Sequence, residues 1–207
     1  MKMIGIYLAA GRSSRMGFDK RYLPFNHEPL GSIALKKALR SKLDHTLVVV
    51  RRGETFGWLD SSFFCDSFRS QWSPVVCEHA SQGQSFSLKS GVIRAVEEGG
   101  DAVIILLADQ PFISTVFINH LIDAYAAERE TAAYIAAGNN GVPMPPLLIS
   151  GSCFPYLHQL TGDQGARGIL RKDLVHKGKI IPQDPPFFYD VDTFAQYSGC
   201  TRKTGKK

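Results

Sequence analysis

Short apolar runs alternate with helical patterns along most of this chain, and this alternation limits the possible folds more than any other feature. The strand-like runs are MIGIYLA, HTLVVV, PVVC, DAVIILLAD and TAAYIAA. Between them, apolar residues recur at helical spacing in PLGSIALKKALRSK, in GQSFSLKSGVIRAVEEGG and over residues 114–129. Strands without polar interruption are typical of parallel sheets that helices cover on both faces. The sequence therefore predicts an α/β fold with three layers around a mostly parallel sheet.

The length and charge of the chain fit a single domain of ordinary size. Its 207 residues, of which 44% are hydrophobic, are enough to bury a sizeable core. We expect one domain over residues 1–200 and a basic, disordered tail over residues 201–207. The formal charge is +5, and it falls to +1 without the four basic residues in the last six positions. A nearly neutral body predicts no binding to nucleic acid.

Membrane, disulfide and zinc sites are all disfavoured by the sequence. No stretch approaches the roughly 18 apolar residues of a membrane span, and no secretory signal begins the chain. We therefore expect a cytoplasmic protein without membrane contact. The cysteines Cys65, Cys77, Cys153 and Cys200 are scattered without a CxxC pair, which predicts reduced thiols. The six histidines show no spacing typical of metal ligands.

The loop LAAGRSSRMGFDK, residues 8–20, follows the first predicted strand. Its glycines allow a sharp turn with exposed amides, and Arg12, Arg15 and Lys20 add positive charge. Open α/β sheets bind ligands at the carboxyl ends of their strands, where this loop stands. The loop matches neither the Walker A pattern nor GxGxxG. Its chemistry favours a polyphosphate ligand. The alternative is a surface turn whose cations are merely solvated, because such turns have the same composition.

The complete string resembles the signature LAAGxSxRMGxxK of the MobA-like nucleotidyltransferases. It is most similar to the molybdenum cofactor cytidylyltransferase branch and to the accessory proteins that mature xanthine dehydrogenase. Four further segments match that family in the same order: GQSFSLKSGV, LLADQPFIS, LTGDQGARGILR and YDVDTFAQY. The resemblance implies a Rossmann-like fold of the nucleotide-diphospho-sugar transferase type. It also implies transfer of CMP from CTP to the phosphate of molybdenum-loaded molybdopterin, with release of pyrophosphate, for a hydroxylase such as xanthine dehydrogenase.

The resemblance assigns a nucleotide site to the opening loop. The contacts that it implies come from the backbone of Leu8, Ala9, Ala10 and Gly11. Arg15 and Lys20, on a surface loop, are expected to neutralise the triphosphate. Ser85 and Ser87 begin a helix and are expected to contact the nucleotide, although such hydroxyls also suit helix caps. Relatives that use GTP carry LAGG, so the LAAG string of this chain implies CTP.

Nucleotidyl transfer joins two anionic groups, so the site needs a divalent cation, for which we expect Mg²⁺. Asp109 ends the apolar run AVIILLAD and should emerge beside the opening loop, which predicts a metal ligand. The stretch YDVDT offers Asp190 or Asp192 as a second carboxylate, and we assign Asp192, although Asp before Thr also caps helices. Catalysis then needs only in-line positioning and charge neutralisation by the cation, Lys20 and Arg15.

Two further segments of the chain have recognisable composition. In GDQGARG, the resemblance implies that Arg167 binds the phosphate of the pterin. An ion pair between Asp163 and Arg167 explains the presence of this arginine almost as well. The stretch GNNGVPMPP predicts a loop rich in glycine and proline.

Two alternative functions remain open. One alternative keeps the enzyme class with GTP as donor or with another phosphate acceptor. The other is a carrier that binds the mature cofactor and delivers it without doing chemistry.

Overall fold

A seven-stranded sheet forms the centre of the protein. The computed structural model describes residues 1–11, 13, 16–129, 131–170 and 177–204, with backbone alone for residue 169 and residues 200–204. The strands are β1 (Met3–Leu8), β2 (Pro24–Phe25), β3 (Glu28–Pro29), β4 (His45–Arg51), β5 (Trp72–Cys77), β6 (Ala102–Leu107), β7 (Tyr134–Asn139), β8 (Val142–Ser150) and β9 (Gly178–Pro182). The large sheet has the order β5-β4-β1-β6-β8-β7-β9, and β2 pairs with β3 separately.

The large sheet is mostly parallel, as predicted. β1 pairs in parallel with β4 and β6, β4 with β5, and β7 with β9. β8 is antiparallel to both of its neighbours, β6 and β7. The carboxyl ends of β1, β4 and β6 therefore meet at one edge, where Leu8 lies between Val49 and Leu107 in register.

Helices cover both faces of the sheet and complete three layers. They are α1 (Leu30–Leu39), α2 (Asp66–Arg69), α3 (Gln84–Glu97), α4 (Thr115–Glu128), α5 (Phe154–Leu157), α6 (Arg167–Leu170) and α7 (Phe194–Thr204). α1 and α4 pack on the face that contains Tyr7, whereas α3 and α5 pack on the face that contains Ile6. Successive residues of a strand point to opposite faces, so the apolar run of β1 supplies both cores.

The stretch GNNGVPMPP is not the loop that we predicted. β7 and β8 form a hairpin that turns at Asn140 and Gly141, whose φ angles are 49° and 75°. An Asn-Gly pair adopts these positive angles readily and is a strong hairpin signal, which the count of prolines obscured. The prolines fit in β8 because β6 pairs only with its later part, from Leu147 onward.

The C-terminal part of the chain packs beside the opening loop. Val191 is fully buried against Phe25 and Leu30, and the Tyr197 hydroxyl donates to the Pro24 carbonyl at 2.5 Å. This packing brings residues 189–193 to the carboxyl edge of the sheet. α7 runs to Thr204, and the division into a domain and a tail stays a prediction.

Cys65, Cys77 and Cys153 are free thiols, in agreement with the sequence. Of the helices that the structure describes, none is long and apolar enough to cross a membrane.

Candidate active site

A cleft of about 450 Å³ opens at the carboxyl ends of β1 and β6. Its lining contains most of the predicted site residues, namely Leu8, Ala9, Ala10, Gly11, Lys20, Ser87, Asp109 and Asp192. It also contains residues for which we predicted no contact, among them Ser13, Arg21, Ser81, Gln84 and Asp163. The structure therefore brings the opening loop, the start of α3 and the acidic stretches into one site.

The first turn of the opening loop is fixed to the neighbouring strands. The Ala9 amide donates to the Val49 carbonyl at 2.9 Å, and the Ala108 amide donates to the Leu8 carbonyl at 3.3 Å. Ala9 and Ala10 are almost fully buried. The loop therefore continues the pairing of β1 beyond its last residue, which gives its backbone a defined position at the cleft.

Lys20 links the two acidic stretches. Its Nζ donates to Asp109 Oδ2 at 2.7 Å and to Asp192 Oδ1 at 2.8 Å. Only 17% of the Lys20 side chain is exposed, so this lysine is more buried than we expected of a residue on a surface loop. Burial alone would lower the pKa of the ammonium, but the Asp109 and Asp192 carboxylates raise it above its ordinary value. Lys20 therefore stays charged in the cleft.

The acidic residues are tied together at the end of β6. The Asp109 carbonyl accepts from the Val191 amide at 3.1 Å, and Gln110 Nε2 donates to Asp190 Oδ1 at 2.8 Å. Burial, together with the charge of Asp109, raises the pKa of Asp190 to about 6. The contact of Lys20 with Asp192 spans 172 positions of sequence, so it depends wholly on this tertiary arrangement.

These carboxylates can hold a divalent cation. Asp109 Oδ1 is buried and has no hydrogen-bond partner among the residues that the structure describes, which leaves a hard anionic oxygen available. Within the part of the chain that the structure describes, no group of three or more His, Cys, Asp and Glu residues is arranged to hold a metal ion. Mg²⁺ commonly takes only one or two carboxylates and completes its coordination with phosphate and water. Asp109 and Asp192 fit that requirement.

The start of α3 forms the wall of the cleft opposite the opening loop. Gly83 has φ of 127°, and a Cβ there would lie 2.3 Å from the Gly162 carbonyl carbon. The Ser85 amide donates to the Gly162 carbonyl at 3.0 Å, which docks the GDQGARG segment on this helix. Ser87 lines the cleft, and its contact with a nucleotide stays a prediction, but Ser85 is fully buried outside the lining. Direct contact of the Ser85 side chain with a ligand in the cleft is therefore not supported.

The two predicted arginines have different outcomes. Arg15 lies outside the described residues. Arg167 is exposed at the start of α6 and is not part of the cleft lining, whereas its neighbour Asp163 is. Its contact with a second substrate stays a prediction. The sequence could have indicated Asp163, because it is the one acidic residue of the glycine-bounded segment GDQGARG. No residue pattern around Arg21 predicts that it lines the cleft.

The likeness to known proteins covers most of the chain. The model of the MobA-like NTP transferase domain matches residues 5–178, which include the opening loop and both walls of the cleft. The chain belongs to the MobA-like NTP transferase family. It is thus a nucleotidyltransferase of the MobA-like type, and the cleft lies where the family signature meets the carboxyl edge of the sheet.

Relatives of this MobA-like chain are linked to purine catabolism and to the molybdenum cofactor. The purine catabolism protein PucB of Bacillus subtilis strain 168 is 40% identical over 197 residues, 94% of each chain. A probable molybdenum cofactor guanylyltransferase of Thermococcus sibiricus is 27% identical over 143 residues, 69% of this chain and 66% of that one.

Solved structures share the MobA-like fold. The crystal structure of Rv0371c from Mycobacterium tuberculosis H37Rv has a TM-score of 0.77 at 21% identity, with 98% of this chain and 99% of that chain covered. The structure of its complex with manganese has a TM-score of 0.70 at 19% identity, with the same coverage. These likenesses confirm the mostly parallel, three-layer α/β fold that the sequence predicted.

Proposed function

We propose that this chain is a magnesium-dependent cytidylyltransferase that moves CMP from CTP to the phosphate of molybdenum-loaded molybdopterin and releases pyrophosphate. The observation that carries the proposal is the bridge of Lys20 between Asp109 and Asp192 in a cleft lined by the LAAG loop. A cation and two carboxylates at such a place suit a reaction whose main obstacle is the negative charge of both reactants.

The proposed roles of the cleft residues follow from their charges. A magnesium ion bound by Asp109 and Asp192 would neutralise the triphosphate and polarise its phosphoryl oxygens. Lys20 lies between these carboxylates, and its flexible stem would let the ammonium turn to phosphate oxygens in the same cleft. The acceptor phosphate is already anionic, so no side chain has to remove a proton from it. Catalysis by this chain is then the in-line positioning of two phosphates.

CTP is proposed as the donor because of the LAAG string. Ala10 stands where relatives that use GTP carry glycine, and this residue is 1% exposed at the turn that lines the cleft. The acceptor is proposed from the molybdenum cofactor relatives, and delivery to a xanthine dehydrogenase-type enzyme from the likeness to a purine catabolism protein.

A nucleotide panel tests the proposal. Purified protein is incubated with Mg²⁺, molybdenum-loaded molybdopterin and each of CTP, GTP, ATP and UTP, and pyrophosphate release is followed. We expect turnover with CTP to exceed turnover with each other nucleotide by at least about tenfold, which corresponds to a difference of about 1.4 kcal/mol in transition-state binding. Faster turnover with GTP would reject the assigned donor. Tight binding of the cytidylated product without any turnover would reject the enzyme in favour of a carrier.

A further inference from the structure

A buried arginine next to Lys20 contacts the backbone of the opening loop. Arg21 lies in a short 3-10 helix, Lys20–Tyr22, and only 6% of its side chain is exposed. Its Nη1 donates to the Ala9 carbonyl at 2.9 Å, and it is part of the cleft lining. We infer that Arg21 is a positioning residue, which orients the Ala9 peptide group so that the opening loop binds the nucleotide.

The guanidinium of Arg21 is held by two carboxylates on different segments. Nε and Nη2 donate to the two oxygens of Asp19 at 2.9 and 2.6 Å. Nη1 donates to Glu54 Oε2 at 2.6 Å, in addition to the Ala9 carbonyl. The planar fork of arginine can make these contacts together, whereas the point-like ammonium of lysine lacks that geometry.

Glu54 is itself immobilised, so the arginine contacts a rigid support. Its Oε1 accepts from the amide of Phe56 at 2.9 Å and from Trp58 Nε1 at 3.1 Å. The guanidinium of Arg21 lies 5.2 Å from the centre of the Trp58 ring. Gly31 of α1 makes room for this stack, because a Cβ there would lie 2.7 Å from Arg21 Cβ.

The consequence for the loop is that both polar groups of Ala9 are bound. Its amide donates to Val49 and its carbonyl accepts from Arg21, so the Ala9 peptide groups at the cleft have little freedom to rotate. A binding loop gains affinity when its conformation is ordered before the ligand arrives. Without Arg21, the nucleotide would have to order the loop itself. This inference rests on the proposed function, because it takes the cleft to be the nucleotide site.

The test compares two arginines that share one carboxylate. Arg21→Lys keeps a positive charge but loses the contact with Ala9. Arg51→Lys is the matched control, because Arg51 Nη2 reaches Asp19 Oδ2 at 3.3 Å, whereas the Ala9 carbonyl accepts from Arg21. The measurements are KM and kcat for CTP, CTP affinity by calorimetry with Mg²⁺, and the thermal midpoint of unfolding.

We expect Arg21→Lys to raise KM and Kd for CTP by about tenfold with kcat within about twofold, since Lys20 keeps its own contacts with Asp109 and Asp192. Arg51→Lys should keep the values of the parent. A purely structural role would lower the thermal midpoint and the active fraction while KM stays unchanged. Unchanged KM and Kd in Arg21→Lys would overturn the inference.

A double variant covers the case in which Arg21→Lys does not fold. Arg21→Met with Glu54→Gln removes the contact with Ala9 and leaves no unpaired charge at residue 54, while Asp19 keeps Arg51. The same tenfold loss of affinity is expected, and affinity equal to the parent's would overturn the inference. If the parent prefers a nucleotide other than CTP, the proposed donor is rejected, and the same comparison is made with the preferred nucleotide.

Discussion

Replacement of Asp109 by asparagine should separate the binding of nucleotide from the chemistry. The change keeps the volume of the side chain at the end of β6 and removes one negative charge. Asp109 contacts Lys20 at 2.7 Å, and its second oxygen is buried with no hydrogen-bond partner in the described part of the chain. We expect Asp109→Asn to lower magnesium-dependent turnover by about 10³-fold, the effect typical of losing one preorganised electrostatic contact in an active site.

The stability cost of Asp109→Asn should be small. Breaking a fully buried ion pair costs roughly 3–5 kcal/mol. Here Lys20 keeps its contact with Asp192 at 2.8 Å, and repulsion between Asp109 and Asp190 disappears. We therefore expect a loss of about 1 kcal/mol, or about 2–4 °C in the thermal midpoint. The pKa of Asp190 should also fall below its parent value of about 6, because the charge of Asp109 is one of its causes.

The assay combines turnover, the thermal midpoint and CTP binding with and without Mg²⁺. Affinity for metal-free CTP should stay equal or rise, because one anion has left the cleft. Carboxyl ¹³C shifts across a pH titration of the metal-free protein report the pKa of Asp190. Asp163→Asn is the matched control, since it removes a charge from the same cleft without a contact to Lys20. It should keep the magnesium dependence of the parent.

The result that would refute this reasoning is full activity of Asp109→Asn, or a magnesium dependence identical to that of the parent. Either outcome would remove Asp109 from the metal site and leave Asp190 or Asp192 as the carboxylate ligands. A drop in turnover together with an equal loss of metal-free CTP binding would instead show that Asp109 acts on the nucleotide without a cation.

Three further substitutions test the neighbouring parts of the site. Lys20→Ala should reduce turnover with CTP by about 10²-fold or more and lower the thermal midpoint, because it removes the ammonium that contacts both Asp109 and Asp192; unchanged steady-state kinetics would contradict this. Ala10→Gly should lower the preference for CTP over GTP by about tenfold in kcat/KM, measured with both nucleotides, and an unchanged ratio would show that selectivity lies elsewhere. Burial raises the pKa of Asp19, but Arg21 outweighs it and holds that pKa below its ordinary value. The charge of Asp19 therefore stabilises the fold above the pKa of the unfolded chain, and this contribution is lost as pH falls through the folded pKa. Asp19→Asn should have a lower free energy of unfolding in urea than the parent at about pH 7, and the difference should shrink below about pH 4. A difference that does not depend on pH would contradict this role of Asp19.

The apolar pattern alone was enough to predict the layered α/β fold. Runs such as those of β1 and β6 are buried on both sides, which only a sheet covered by helices provides. The position of Asp109 at a carboxyl edge followed from the same pattern, because it directly succeeds such a run. The signature loop, by its resemblance, indicated the family and the cleft residues that the structure brings together.

Only the tertiary structure decided how distant segments meet. The reversed strand β8 lies between β6 and β7, an order that no local pattern encodes, since pairing depends on the whole set of strands. The ion pairs of Lys20 join it to residues 89 and 172 positions away, and only 17% of its side chain is exposed although the sequence suggested a surface loop. Arg21 became visible as a support of the opening loop for the same reason. Its partners Ala9 and Glu54 come from separate segments, and a side chain's burial is set by what packs on it rather than by its neighbours in the chain.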